Sequence, residues 1–385
     1  MTIYFLAGEV SADNHGAALM RSLRLLDPEM KFIGRGGPQM QQVAGAQFKN
    51  WIVGAAVLGL WEVLRKYGYF REQFRQTLNE IQQTKPDAVV LIDYPGFNLR
   101  LARALRRQLP TQKAIYYISP QVWAWNRGRI KKMARFIDLV LCIFPFETDL
   151  YAASDLRAVF VGHPMIERLQ KQKVDTQRDP NLIGLFPGSR SREVRKIFPV
   201  MIEAARRLVE WKPTLRFQVA AASEELAREM NEQVADRHAI AITVGETATT
   251  MQRAHVGIVA SGSATLEAAY FGMPFVLIYK VAWPTYIAAR LVVNVDFLGM
   301  PNLLAGKQVV PEFIQHEAKP DTIVKDIRLL MEDTPVRERM ISDFDAIISK
   351  LGGTGASERA AQAIIQELKE RRSPDRRGDR EIALP

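Results

Sequence analysis

One cysteine and five histidines in 385 residues leave little for thiolate or imidazole chemistry. Cys142 sits inside the apolar run Leu139-Val140-Leu141-Cys142-Ile143-Phe144, so a disulfide framework and a thiolate metal cluster are excluded within one chain, and a reducing, cytoplasmic setting is expected. No second histidine lies at metal-ligand spacing from His163, and no tightly bound metal is expected. No apolar stretch reaches the roughly twenty residues of a membrane-spanning helix. No charged leader with a cleavage site precedes Ile3-Tyr4-Phe5-Leu6, so secretion is not expected. A dinucleotide fingerprint is missing too. Gly8-Glu9-Val10-Ser11-Ala12-Asp13 follows the first apolar run where Gly-x-Gly-x-x-Gly would stand, which argues against a dinucleotide-dependent oxidoreductase. Zinc-finger spacing and basic motifs interleaved with aromatics are absent, so nucleic acid is not an expected partner.

The charge is lopsided: 52 Lys and Arg against 42 Asp and Glu give a net +10, which favours an acidic lipid surface or a phosphorylated substrate. A hydrophobic content of 48% over this length supplies two domains rather than one core. Strand-like runs at Ile3–Ala7, Ala88–Ile92, Ala114–Ile118, Leu139–Ile143 and Val159–Val161 alternate with helical patterns such as Gly16–Leu26, Phe97–Leu109 and Arg127–Phe136. A polar bridge, Gln170–Asn181, precedes a second set at Leu182–Phe186, Phe217–Ala220, Ala239–Val244, Val256–Ala260 and Phe275–Ile278. The expected fold class is therefore α/β, with two Rossmann-like domains whose parallel sheets face each other across a cleft. The expected bounds are 1–168, joined by a C-terminal helix at 355–370, then 169–350, with a disordered basic tail at 371–385. That last helix either returns to the first domain or is exchanged in a homodimer.

Two segments look like phosphate handlers. Leu185-Phe186-Pro187-Gly188-Ser189-Arg190 and Ser261-Gly262-Ser263-Ala264-Thr265-Leu266-Glu267 each follow a buried strand and open a helix, so backbone N–H groups and a helix N-terminus meet an anion. Arg190 adds forked donors suited to a diphosphate, and Glu267 is placed to accept from ribose hydroxyls. Ligands of parallel sheets bind beyond the strands' carboxyl ends. Glu9 and Ser11 stand at such an end, with Ser11 and Asp13 as good helix caps. Asp93, in Asp93-Tyr94-Pro95-Gly96-Phe97-Asn98, stands at another, where a carboxylate either caps the next helix or takes a proton from an attacking hydroxyl. Trp123 and Trp125 pack on a sugar or acyl chain, or in the core; His163 orients a substrate or holds backbone. Val53–Leu64, continued by the basic flank to Phe70, is either a core helix or a surface for anionic lipid and acyl chains. Asp343-Phe344-Asp345 reads as a solvated helix face.

In order along the chain, Gly8–Ser11, Asp93–Asn98, Ser119–Trp125, Leu185–Arg190, Ser261–Glu267 and Leu298-Gly299-Met300-Pro301-Asn302-Leu303-Leu304-Ala305-Gly306 resemble the successive motifs of the lipid-A-disaccharide synthases, over roughly residues 1 to 370. The resemblance implies an inverting GT-B glycosyltransferase without metal or other cofactor. It implies UDP-2,3-diacylglucosamine as donor, 2,3-diacylglucosamine 1-phosphate as acceptor, and the β-1,6-linked disaccharide 1-phosphate and UDP as products. It marks Asp93 as general base. It marks Gly188, Ser189, Arg190, Ser261, Gly262, Ser263, Ala264, Thr265, Glu267 and Asn302 for UDP, and Glu9 and Ser11 for the first-strand loop, with Asn98, Trp123 and His163 as further candidates for sugar or acceptor. The family's first loop usually has Gly where Ala12 stands, and some members have Asp where Gly96 stands; neither change removes a reacting group. A peripheral enzyme on the cytoplasmic membrane face is expected, attached through Val53–Phe70. The alternative is a UDP-sugar epimerase of the same fold, which has no use for the Val53–Leu64 segment.

Overall fold

A computed structural model describes residues 1–52, 67–120, 128–234, 240–283, 286–287, 295–332 and 334–370. Trp123, Trp125, the 371–385 tail and most of Val53–Phe70 lie outside the described residues. The chain divides into two compact units, Met1–Pro164 with Thr354–Pro385, and Met165–Gly353.

Unit 1 runs β1 (Thr2–Ala7), α1 (Val10–Leu26), β2 (Lys31–Gly36), α2 (Pro38–Ala44), β3 (Lys49–Asn50), α3 (Tyr67–Thr84), β4 (Ala88–Ile92), α4 (Pro95–Gln108), β5 (Lys113–Tyr117), α5 (Gly128–Met133), β6 (Leu139–Cys142), α6 (Phe146–Ala152) and β7 (Ala158–Phe160). The strands pair in the order β3-β2-β1-β4-β5-β6-β7, all parallel. Successive side chains alternate across the sheet and both faces of its centre are covered, so β1, β4, β5 and β6 read as largely apolar runs. Ile3, Phe5 and Ala7 join one core with Leu19 and Leu23 of α1. Tyr4 and Leu6 join the other with Leu78 and Leu101 of the helices on the opposite face.

Unit 2 runs α7 (Met165–Lys171), β8 (Asp179–Phe186), α8 (Ser191–Trp211), β9 (Arg216–Ala221), α9 (Glu224–Asn231), β10 (Ile240–Val244), α10 (Thr247–Arg253), β11 (Ala254–Ala260), α11 (Ser263–Tyr270), β12 (Phe275–Tyr279), α12 (Met300–Ala305), β13 (Glu312–Ile314), α13 (Pro320–Met331) and α14 (Pro335–Ser349). Its sheet order is β10-β9-β8-β11-β12-β13, again parallel. Asp343 and Phe344 belong to α14: Asp343 pairs with Lys307 at 2.8 Å, and Phe344 stacks on Phe275 in the core. The last helix, α15 (Ala356–Glu370), belongs to unit 1, where Ala360, Ile364 and Leu368 enter the core of β1 and β4. Its buried Glu367 binds both Lys113 and Arg157.

Asp13 is not a cap of its own helix. It is buried, and its carboxylate accepts the N–H groups of Gly37, Gln39 and Met40, each at 2.9 Å, so it caps α2 from α1. Removing it leaves three N–H groups unpaired in a dry site. Asp13→Ala is expected to lower folding stability by about 2–4 kcal/mol, read as a fall in the urea midpoint at unchanged slope.

Candidate active site

In each sheet the strand order reverses between two neighbours, β1 and β4 in unit 1, β8 and β11 in unit 2. The crevice beyond such a pair is where ligands bind, because the two following loops diverge to opposite faces. Gly8 and Glu9 follow β1 and Asp93 follows β4; Gly188–Arg190 follow β8 and Ser261–Glu267 follow β11. Each pair of motifs converges on its sheet's reversal.

In unit 1, Asp93 and Tyr94 are both left-handed, at φ 45° and 49°. Such backbone costs on the order of 1–3 kcal/mol per non-glycine residue and persists only where neighbours enforce it. The neighbours are buried. Asn98 donates through Nδ2 to the carbonyls of Asp93 at 2.7 Å and Ile92 at 3.2 Å, and Tyr116 donates its hydroxyl to the Asp93 carbonyl at 2.5 Å. Burial pushes the Tyr116 phenol far above its usual range, so it remains a donor. The Tyr94 carbonyl accepts from the N–H groups of Phe97 and Asn98 at the start of α4. The Tyr94 ring then lies against Gly8, where a Cβ would fall 2.5 Å from it, so only glycine fits there. Trp51 closes this wall, edge-on to Tyr94 and Phe97, and donates Nε1 to the Ala7 carbonyl at 2.6 Å.

This setting changes the Asp93 acid. Burial pushes its pKa up to about 6, the Glu9 carboxylate adds to the rise, and an N–H bond from Tyr94 opposes it. The group is ionised at neutral pH yet a stronger base than an ordinary carboxylate, which suits proton abstraction. Glu9 is thus an electrostatic neighbour of Asp93. Ser11 is exposed in the first turn of α1, whose cap position is Glu9. The carboxamide of Asn98 is turned inward to the backbone carbonyls, a bracing role rather than contact with a sugar. His163 packs on Phe144, ring centroids 5.3 Å apart.

In unit 2 a cavity of about 540 Å³ is lined by Gly188, Ser189 and Arg190 on one side and Ser261, Gly262, Ser263, Ala264 and Glu267 on the other. Gly262 caps α11 at φ 149°, ψ −165°, a conformation open to glycine alone, and no side chain caps that helix end. Arg190 is exposed and pairs with Glu193 at 3.1 Å, so an incoming anion competes with one surface carboxylate. Arg168 of α7, which no sequence motif singled out, holds Glu267 at 2.8 Å and lines the same cavity. Two assigned residues are turned away. Thr265 is buried and donates its hydroxyl to the Gly262 carbonyl at 2.7 Å. Asn302 is fully buried; Nδ2 donates to the Val310 carbonyl and Glu312, and Oδ1 accepts from the N–H groups of Val309 and Val310. Its hydrogen bonds tie α12 to the segment Val309–Val310 that leads into β13, and to Glu312 of that strand, a scaffolding role within this unit.

Comparison with known proteins follows the same outline. The profile of the lipid-A-disaccharide synthetase family matches residues 3–365. A lipid-A-disaccharide synthase of Geobacter sulfurreducens is 38% identical over 95% of this chain and 97% of its own. Among solved structures, a putative UDP-N-acetylglucosamine 2-epimerase from Listeria monocytogenes superposes with a TM-score of 0.63 at 14% identity, covering 99% of each chain. The UDP-GlcNAc 2-epimerase of Neisseria meningitidis bound to UDP-GlcNAc gives 0.60 at 12% identity, covering 96% of this chain and 100% of its own. At such identities the structural likeness shows the shared fold alone.

Two outcomes follow from the two crevices. Arg190→Ala should weaken UDP binding roughly 10–100-fold by calorimetry, with Arg190→Lys intermediate because a point charge replaces a fork. Asp93→Asn should melt higher than wild type. The raised pKa means that ionised Asp93 opposes folding, by about 2–3 kcal/mol above pH 6, and that this penalty fades as pH falls from 6 toward 4. The gain in Tm should therefore be present at pH 8 and vanish near pH 4.

Proposed function

Because this chain belongs to the lipid-A-disaccharide synthetase family, and is thereby a glycosyltransferase of lipid A biosynthesis, we propose that Asp93 is its general base and that the unit 2 cavity holds the donor's UDP. The donor is UDP-2,3-diacylglucosamine and the acceptor 2,3-diacylglucosamine 1-phosphate. The observation that carries the assignment is the half-buried, left-handed Asp93, whose raised pKa fits proton abstraction from a hydroxyl. As the acceptor 6-hydroxyl attacks the anomeric carbon, Asp93 takes its proton and the bond from that carbon to the diphosphate breaks. Arg190, the backbone N–H groups after Gly262 and the N-terminus of α8 stabilise the negative charge that gathers on the departing UDP. Attack opposite the leaving group inverts the anomeric configuration and gives the β-1,6 linkage. Orientation of both sugars supplies much of the advantage.

The epimerase alternative gains only the shared fold, whereas family membership extends through residues 3–365. Attachment to an anionic membrane surface through Val53–Phe70 belongs to the proposal as well. The net charge of +10 supports it, and no helix among the described residues is long and apolar enough to cross a bilayer.

A mass-spectrometric assay with both substrates in detergent micelles tests the reading. Wild type should release disaccharide 1-phosphate and UDP; binding of UDP without disaccharide would reject the lipid acceptor. The acceptor kcat/KM should rise with pH through an apparent pKa near 6, set by Asp93. Asp93→Asn should abolish that limb together with roughly 10²–10⁴-fold of the rate. Glu9→Gln removes a like charge and should move the limb to lower pH.

A further inference from the structure

A second crevice in unit 1 opens beside the base. It has a volume of about 660 Å³ and lies between α4 and the α5 segment, with Pro95 and Gly96 at one end. Seven of its eleven lining residues are Arg or Lys, and none of those described is acidic. Leu99 and Phe136 supply apolar wall. On α4 the cations Arg100, Arg103 and Arg107 recur at helical spacing along one face; Arg129 and Lys132 answer from α5. Asp138 pairs with Arg106 at 2.7 Å. So dense a run of like charge raises the unfolded-to-folded cost through self-repulsion, and a bound anion relieves it.

We propose that this groove seats the phosphomonoester of the acceptor. The inference rests on the function proposed above, in which the acceptor carries a phosphate on the ring whose 6-hydroxyl reacts. One rigid sugar holds both groups, so a phosphate site must lie within a sugar's length of the base. The groove begins close by in the chain, with Pro95 and Gly96 lining one end of it. Gly96 is three residues beyond Asp93, and Arg100 is about one turn, 5–6 Å, further along the helix. Arg129 acts electrostatically on Tyr116, whose hydroxyl holds the Asp93 carbonyl. Arg100 therefore stands nearest the turn, with Arg103 three residues further along α4 and Arg129 facing from α5, and forked guanidinium donors match phosphate oxygens in pairs. The farther cations raise the local potential and steer the anion inward. A concave groove with mixed apolar wall fits a single headgroup with the start of its acyl chains better than a flat bilayer surface.

The test compares 2,3-diacylglucosamine 1-phosphate with the same acceptor lacking its phosphate, in mixed micelles, for wild type, Arg100→Ala/Arg103→Ala and Arg100→Lys/Arg103→Lys. Wild type should prefer the phosphorylated acceptor. The alanine pair should raise KM for that acceptor roughly 10–100-fold and bring the preference toward one, at an unchanged donor KM, and the lysine pair should restore most of it. An alanine pair that keeps both the KM and the preference overturns the proposal. So does a pair that keeps the preference but no longer sediments with phosphatidylglycerol vesicles, since the groove would then bind the bilayer. Failure of wild type to form any disaccharide rejects the function itself; wild-type turnover with unaltered variants rejects the groove alone. If the alanine pair does not fold, the lysine pair decides: a KM for the phosphorylated acceptor a few-fold above wild type, with the unphosphorylated acceptor unaffected, is the expected loss of the fork with the charge kept, and no change for either acceptor overturns the proposal.

Discussion

The chemistry of unit 1 hangs on the buried carboxamide of Asn98, which donates to the carbonyls of Ile92 and Asp93 and, with the Tyr116 hydroxyl, holds two successive residues in the left-handed region. Without that brace the chain would leave β4 in an ordinary extended or helical path. Asp93 would then reach solvent and titrate as a surface carboxylate. Strain, burial and basicity are one arrangement: the turn half-buries the acid, burial raises its pKa, and Glu9, at the cap of α1 just beyond β1, raises it further. Gly8 and Tyr94 lock together at the same place, which explains why glycine must follow β1.

Unit 2 solves a different problem with the same topology. The diphosphate proposed to bind there is already charged, so the crevice would need preorganised donors rather than a tuned acid. Gly262 provides backbone that no other residue adopts, and α8 and α11 direct their N-termini from the two strands flanking the reversal. Two carboxylates sit among these donors, yet each is matched to an arginine, Glu193 to Arg190 and Glu267 to Arg168. The pairing keeps Glu267 oriented and leaves the cavity without an unbalanced negative charge.

Much of this was legible in the chain because the reversal strands β1, β4, β8 and β11 are unbroken apolar runs ending in polar motifs. β2 was not legible. Its sequence Lys31-Phe32-Ile33-Gly34-Arg35-Gly36 carries a buried arginine, neutralised by Glu80 of α3, forty-five positions away. Asp13 looked like a local cap, and its true partners lie 24 to 27 residues downstream. Arg168 escaped notice because Glu267 is ninety-nine residues distant. Asn98 and Asn302 stand inside recognisable motifs, and only coordinates reveal that both amides hold nearby backbone, with Glu312 as a further partner of Asn302. Residue type and spacing locate a site; tertiary partners decide what each member does there.

The most direct test of this arrangement is to titrate the Asp93 carboxyl itself. In protein carrying ¹³C-labelled aspartate side chains, the resonance that disappears in Asp93→Asn identifies it. A midpoint near pH 6, moving down in Glu9→Gln, is the expected result. A midpoint near 4, the value of a solvated aspartate, would mean that the turn does not bury the acid, and Asp93 would lose its claim to be the base.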